Sequence, residues 1–200
     1  MATTSSNRYS TVAVLFHWTI AILILTNIVL GWQFDNLEGP TKLAVVNVHK
    51  SIGMTVLILT VLRLLWRLTN KPPPISPWLK PWERILATTV HWLFYVFMLV
   101  MPLTGWAMSS ASPKIRVNPV TFFGLFDFPA FPWVSTLPHD QMHAIHKTLQ
   151  QAHTGYVLYL GYALIVLHVL GALKHQVFDR DGELGRMIPF LREPAPRKAD

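Results

Sequence analysis

The sequence predicts an all-α membrane protein, a four-transmembrane-helix bundle with both termini cytoplasmic. Three observations carry that expectation. Of 200 residues, 52% are hydrophobic and only 14% are charged, whereas soluble domains carry about 25% charged residues. Four apolar runs, residues 12–34, 43–66, 85–108 and 152–178, contain no Asp or Glu. Each is long enough to cross about 30 Å of hydrocarbon. Finally, Lys and Arg gather on one side. Arg67, Lys71, Lys80 and Arg84 mark the second loop, and Lys174, Arg180, Arg186 and Arg192 the C-terminal side. The first loop has only Lys42; the third has Lys114, Arg116 and the more distal Lys147. The positive-inside rule then puts both termini in the cytoplasm.

The chain is expected to form one domain. It has no cysteine, which excludes disulfides, thiolate-held iron–sulfur clusters, covalent c-type heme and cysteine zinc sites. The net charge of +7 sits in two loops and a tail, as membrane topology requires, and does not point to nucleic acid. Met1–Ser10 reads as a short leader into the first span, without a signal-peptide cleavage pattern.

In the first span, His17 lies about one and a half turns in, with Trp18 and Trp32 near the two interfaces. Asp35 to Lys42 is a polar turn. The second span contains His49, Lys50 and Arg63, with Gly53 one turn after His49. Arg67 to Glu83 is proline-rich and predicts an extended connector. The third span has His91 early and Pro102 late, where a kink is expected. Residues 109–140 form the predicted periplasmic loop, whose aromatic centre, Phe122 to Trp133, predicts an irregular interfacial lid. Gln141 to Gln151 is amphipathic and extends the fourth helix above the membrane. Residues 179–200 are a polar cytoplasmic tail, expected to be poorly ordered at its end.

Histidines inside membrane spans are rare and mark functional sites. His153 and His168 are fifteen residues apart, which is about 22 Å of rise and about 60° of azimuth. They lie near opposite membrane surfaces on similar faces. The topology gives two level pairs: His17 with His168 inside, and His49 with His153 outside. Facing imidazoles at one depth suit the two axial positions of a heme iron. Iron so ligated has no open position and passes electrons without binding dioxygen. Two such hemes would make an electron path across the bilayer. A proton relay or metal transporter also uses intramembrane histidines, but would want carboxylate partners. His139, His143 and His146 have spacing that permits a surface metal site, although a solvated helix face explains them more simply.

The chain resembles the prokaryotic cytochrome b561 family over nearly its whole length. The resemblance rests on RYSTVAVLFHW, NVHKSIGMTVLILTVLRLLWRL, KPPPISP, HWLFYVFMLVMPLTGWAMS and LGYALIVLHVLGALKHQVFDRDGELGRMIP. It implies a diheme b-type cytochrome of the bacterial inner membrane that exchanges electrons with quinone. By that resemblance His17 and His168 ligate the cytoplasmic-side heme, and His49 and His153 the periplasmic-side one. The family leads one to expect a slightly tighter spacing in the fourth span than fifteen residues; a local bulge would restore the face. Some family members look like superoxide oxidases, which pass an electron from superoxide to ubiquinone. The alternative function is a b-type membrane-anchor subunit, linking a dehydrogenase or hydrogenase partner to quinone.

Other residues receive secondary roles. His91 is a candidate for a quinone or propionate pocket. His175 and Lys174 are candidates for hydrogen-bonding or protonating quinone. Arg63 and Arg67 suit inner propionates. Lys50 suits an outer propionate or the attraction of an anion such as superoxide, with help from Lys114 and Arg116. The aromatic lid would cover the outer heme edge or anchor the chain at the interface.

Overall fold

The computed structural model describes residues 8–75, 79–112, 121–188 and 190–191. Lys114, Arg116 and Arg192 lie outside the described residues, as does the end of the tail. Among the described residues, four helices are long and apolar enough to cross a membrane. α1 is Thr11–Trp32, capped by Ser10, whose hydroxyl accepts from the Ala13 amide at 3.3 Å. α2 is Gly39–Thr69 and α3 is Pro81–Ser110, each opening with a proline in its first turn. The fourth long helix, His139–Asp179, is built from α4 (His139–Gln151), a π turn (Ala152–Tyr156), α5 (Val157–Lys174) and a second π turn (His175–Asp179).

Three of the four helices outrun the predicted spans, whereas α1 ends two residues short of its own. α2 begins four residues before residue 43 and ends three after residue 66, because polar residues at the membrane surface continue a helix that apolar content alone would stop. The connector before α3 is likewise shorter than expected. Its Lys80 amide donates to Glu83 Oε2 at 2.8 Å, which starts the helix at Pro81. α3 then runs on through Pro102 to Ser110.

α1 packs on α2, α2 on α3, and α3 on both α4 and α5. The ring closes between α1 and α5 through side chains. Trp32 Nε1 donates to the Tyr162 hydroxyl at 2.8 Å near one end, and His17 meets His168 near the other. The buried core includes Ile20, Val56, Phe97, Met98 and Leu164. Along the fourth long helix, Leu164 lies between His153 and His168. The outward faces carry exposed Leu15, Ile22, Leu25, Ile58, Leu65, Val96, Val166 and Leu170, as lipid contact requires.

Gly161 sets the approach of α5 to α3. A Cβ there would lie 2.4 Å from Phe97 Cε2, and the Phe97 ring is buried. Gly161→Ala is therefore expected to destabilise the bundle by about 1–3 kcal/mol through overpacking. The check is a lower thermal midpoint in detergent.

The lid is more regular than predicted. β1 (Thr121–Phe122) and β2 (Phe126–Asp127) pair antiparallel around a tight turn in which Phe123 and Gly124 take positive φ of 49° and 72°. Ser51 on α2 pins it, accepting from the Phe123 amide at 2.9 Å and lying 3.0 Å from the Thr121 carbonyl. Trp106 Nε1 donates to the Pro129 carbonyl, and the Phe131 amide to Ser110 Oγ.

The near part of the tail also packs back onto the bundle. Arg186 is buried, donates to both Glu183 carboxylate oxygens and to the Pro74 carbonyl, and lies over the Tyr9 ring. Trp18 Nε1 donates to the Met187 carbonyl at 3.0 Å. This segment thus joins the chain start, the proline loop and the helix ends.

Candidate functional site

The outer level is formed by His49 on α2 and His153 in the first π turn. Their ring centroids are 6.3 Å apart and their planes 79° apart. His49 Nδ1 donates to the Asn27 carbonyl at 3.1 Å. His153 Nδ1 donates to Thr104 Oγ1 at 3.1 Å, and that hydroxyl in turn donates to the Met101 carbonyl at 2.8 Å. Phe34 meets His49 edge-on at 5.1 Å. Each ring is thus oriented through Nδ1, which leaves Nε2 to ligate, the arrangement usual for metal-bound histidine.

The π turn matters to this geometry. A π bulge absorbs one residue, so the interval to His168 behaves as about fourteen α-helical steps, with about 40° of azimuthal drift instead of about 60°. A local bulge of the kind the family resemblance suggested is present, and it contains His153 itself. Gly105 faces the ring. A Cβ at Gly105 would lie 2.9 Å from His153 Cε1. Gly105→Ala is expected to displace the ring and weaken the outer site, read as a shifted or diminished outer contribution in the reduced-minus-oxidised spectrum.

At the inner level, His17 on α1 and His168 on α5 have centroids 6.0 Å apart and planes 56° apart. His91 on α3 lies 5.5 Å from His168, and Phe94 5.3 Å. His91 Nδ1 donates to the Ala87 carbonyl at 2.6 Å. Arg63 Nη2 approaches His17 Nδ1 at 3.5 Å. The Arg63 guanidinium lies over Tyr95, and that of Arg67 over Trp92 and Tyr95. The four predicted spans hold no carboxylate to neutralise this arginine pair.

Two imidazoles on one metal ion, each with its nitrogen about 2 Å from it, have centroids about 6 Å apart. Both pairs meet that spacing. Near the outer level, the Oδ1 atoms of Asn27 and Asn47 are buried without a hydrogen-bond partner among the described residues, although buried polar atoms are normally satisfied. The residues present therefore fit a bis-imidazole porphyrin at each level.

The prokaryotic cytochrome b561 family matches residues 8–190. The chain belongs to this family. It is 30% identical to cytochrome b561 homolog 2 of Escherichia coli (strain K12) over 192 residues, which cover 93% of this chain and 94% of that one. It is 28% identical to the probable superoxide oxidase CybB of Yersinia pestis over 189 residues, with 92% and 98% coverage. It is also 28% identical to cytochrome b561 homolog 1 of Escherichia coli (strain K12) over 187 residues. This cytochrome b561 is a multi-pass membrane protein of the b-type, heme-binding, electron-transport class.

The remaining predicted residues fall as follows. Lys50 stands beside His49 at the outer level, partly buried, with no partner among the described residues. His175 and Lys174 enter an ion-pair network with Glu83, Asp179 and Asp181. His146 donates Nδ1 to the Met108 carbonyl at 2.9 Å, so it fastens α4 to α3 instead of facing His139 and His143 across a metal. Sequence reasoning missed Thr104, Asn27, Ser51, Glu83, Asp179 and Asp181. Of these, only the two aspartates at the fourth and sixth positions after His175 left a visible trace.

Proposed function

We propose that this cytochrome b561 carries electrons across the bacterial inner membrane through two b hemes. The donor on the outer face is superoxide and the acceptor at the inner face is ubiquinone. The observation that carries this reading is the pair of histidine levels, each spaced for one iron, at opposite ends of the bundle. The similarity to a probable superoxide oxidase supports the choice of donor. The orientation rests on the cationic inner ends of the helices, where Arg67, Lys80, Arg84, Arg180 and Arg186 gather. When bound, a b heme supplies a one-electron carrier at each level.

The chain's own residues do the rest. His49 and His153 would hold the outer group, and His17 and His168 the inner one. Thr104 and the Asn27 carbonyl fix ring orientation. Lys50 would receive an outer carboxylate or attract an anion to this level. Arg63 and Arg67 would receive inner carboxylates, which half-buried guanidinium groups in a membrane span favour. His91, with Nδ1 committed to Ala87, and the pair His175 and Lys174 would face the quinone. The core layer between the levels excludes water from the path. In balance, two superoxide ions become two dioxygen molecules, and the quinone takes two electrons and two protons to become quinol.

The test combines heme quantification with turnover by the purified chain. The expected result is about two b hemes per chain, with superoxide-dependent reduction of added ubiquinone. Heme content of one or none, or no turnover without a partner protein, would refute it.

A further inference from the structure

At the inner end of the fourth helix, five ionisable side chains form one network. His175 Nδ1 lies 2.6 Å from Asp181 Oδ2 and 3.0 Å from Asp179 Oδ2. Lys174 Nζ pairs with Asp179 and, at 2.8 Å, with Glu83 Oε1 on α3. We propose that Asp181 is a positioning residue which, with Asp179, makes His175 the inner-side proton donor for quinone reduction. The proposal rests on the quinone reading above and adds the residues that would supply its protons.

The backbone argues that this is more than a staple. An α-helix brings the fourth residue onward beside a histidine, which accounts for Asp179 alone. Asp181 reaches the same nitrogen only because the helix ends in a π turn and Arg180 then takes a left-handed φ of 52°. A non-glycine residue there costs about 1 kcal/mol or more. Tying α5 to α3 needs only Lys174 and Glu83. The second carboxylate on His175 is surplus to that purpose.

The network also runs from wet to dry. The side chains of Lys174 and Asp179 are 41% and 35% exposed, those of His175 and Asp181 only 16% and 10%. His175 lies seven residues inward of His168, about 10 Å along the helix. An electron leaving the inner level and a proton leaving His175 can therefore meet on one small ring. Nδ1 is held by the carboxylates, and Nε2 has no protein partner among the described residues. In the transfer, the Nε2–H bond breaks as an O–H bond forms on the reduced quinone. The imidazole keeps its Nδ1–H toward the carboxylates and regains a proton at Nε2 from inner-side water, once for each electron. Three groups of the network, His175, Asp179 and Asp181, could also enclose a metal ion, but Lys174 already occupies Asp179. Lys80, which caps α3, and Glu183, whose amide donates to Asp181 Oδ1, also face the network.

The test follows heme redox state by stopped flow in the purified holoprotein, with superoxide and then a short-chain ubiquinone. Asp181→Asn is expected to keep wild-type heme content, spectrum and reduction by superoxide. Its reoxidation by ubiquinone should slow at least about tenfold, a fraction of the 10²–10⁴ that a general acid supplies. Asp181→Glu should recover most of the rate, and added formate part of it. A wild-type reoxidation rate in Asp181→Asn overturns the proposal, as does slowing that neither Asp181→Glu nor formate relieves. If hemes of the unaltered protein are not reoxidised by ubiquinone at all, the quinone reading itself falls.

Discussion

Alanine at His49 or His153 is expected to lower heme content from about two per chain to about one, because a neutral methyl group cannot replace an axial imidazole. Superoxide consumption should be lost with it. The remaining inner heme should still be reduced by quinol. Alanine at His17 or His168 should give the mirror result: the outer heme remains and takes an electron from superoxide, but ubiquinone is not reduced. The measurement is a pyridine hemochrome assay with rapid kinetics from both ends. The reasoning is geometric. Each pair spans about 6 Å between centroids, and the two levels share no ligand. His91→Ala supplies the control. If it removes the inner heme while His17→Ala does not, His91 and His168 form the inner pair, a geometry that their 5.5 Å separation permits.

Arg186→Ala is expected to cost about 2 kcal/mol, read as a lower midpoint for thermal heme release. The guanidinium is buried and binds the Glu183 carboxylate, the Pro74 carbonyl and the Tyr9 ring face. Its loss strips partners from a carboxylate and a carbonyl at once. Breaking a fully buried ion pair costs about 3–5 kcal/mol, but the Glu183 side chain is 24% exposed and water recovers part of that. Arg186→Lys should rescue little, since an ammonium cannot serve this many directions. Heme stoichiometry before heating should be unchanged. Faster amide exchange over residues 179–188 would show where the chain has loosened.

The bundle and the depth of its histidines were legible because membrane burial is a coarse constraint. A run without Asp or Glu long enough to span lipid has few alternatives, and 1.5 Å per residue turns positions into depths. His17, His49, His153 and His168 could be sorted into levels by counting alone. A bulge near His153 was suggested as well, but only by the family resemblance, which leads one to expect a tighter spacing than fifteen residues. What could not be read was anything that depends on a single backbone angle. Asp181 meets His175 only because Arg180 turns left-handed. Arg186 looks like a topology charge in sequence, yet it is buried as a tie between three segments. The lid reads as irregular from its prolines. Its order comes from the Ser51 hydroxyl, a contact across some seventy residues.

Among the described residues, the core cluster of Ile20, Ile52, Val56, Val90, Tyr95, Phe97, Met98 and Leu164 holds no carboxylate, amine or imidazole, and the Tyr95 hydroxyl is its one ionisable group. Electrons can tunnel through such packing, whereas ions cannot follow them. On the proposed reading, each quinol formed would leave the cytoplasm poorer in protons and the periplasm relieved of negative charge. Detoxifying an oxygen radical would then energise the membrane, with the inside negative, and sealed vesicles loaded with a voltage-sensitive dye would report it.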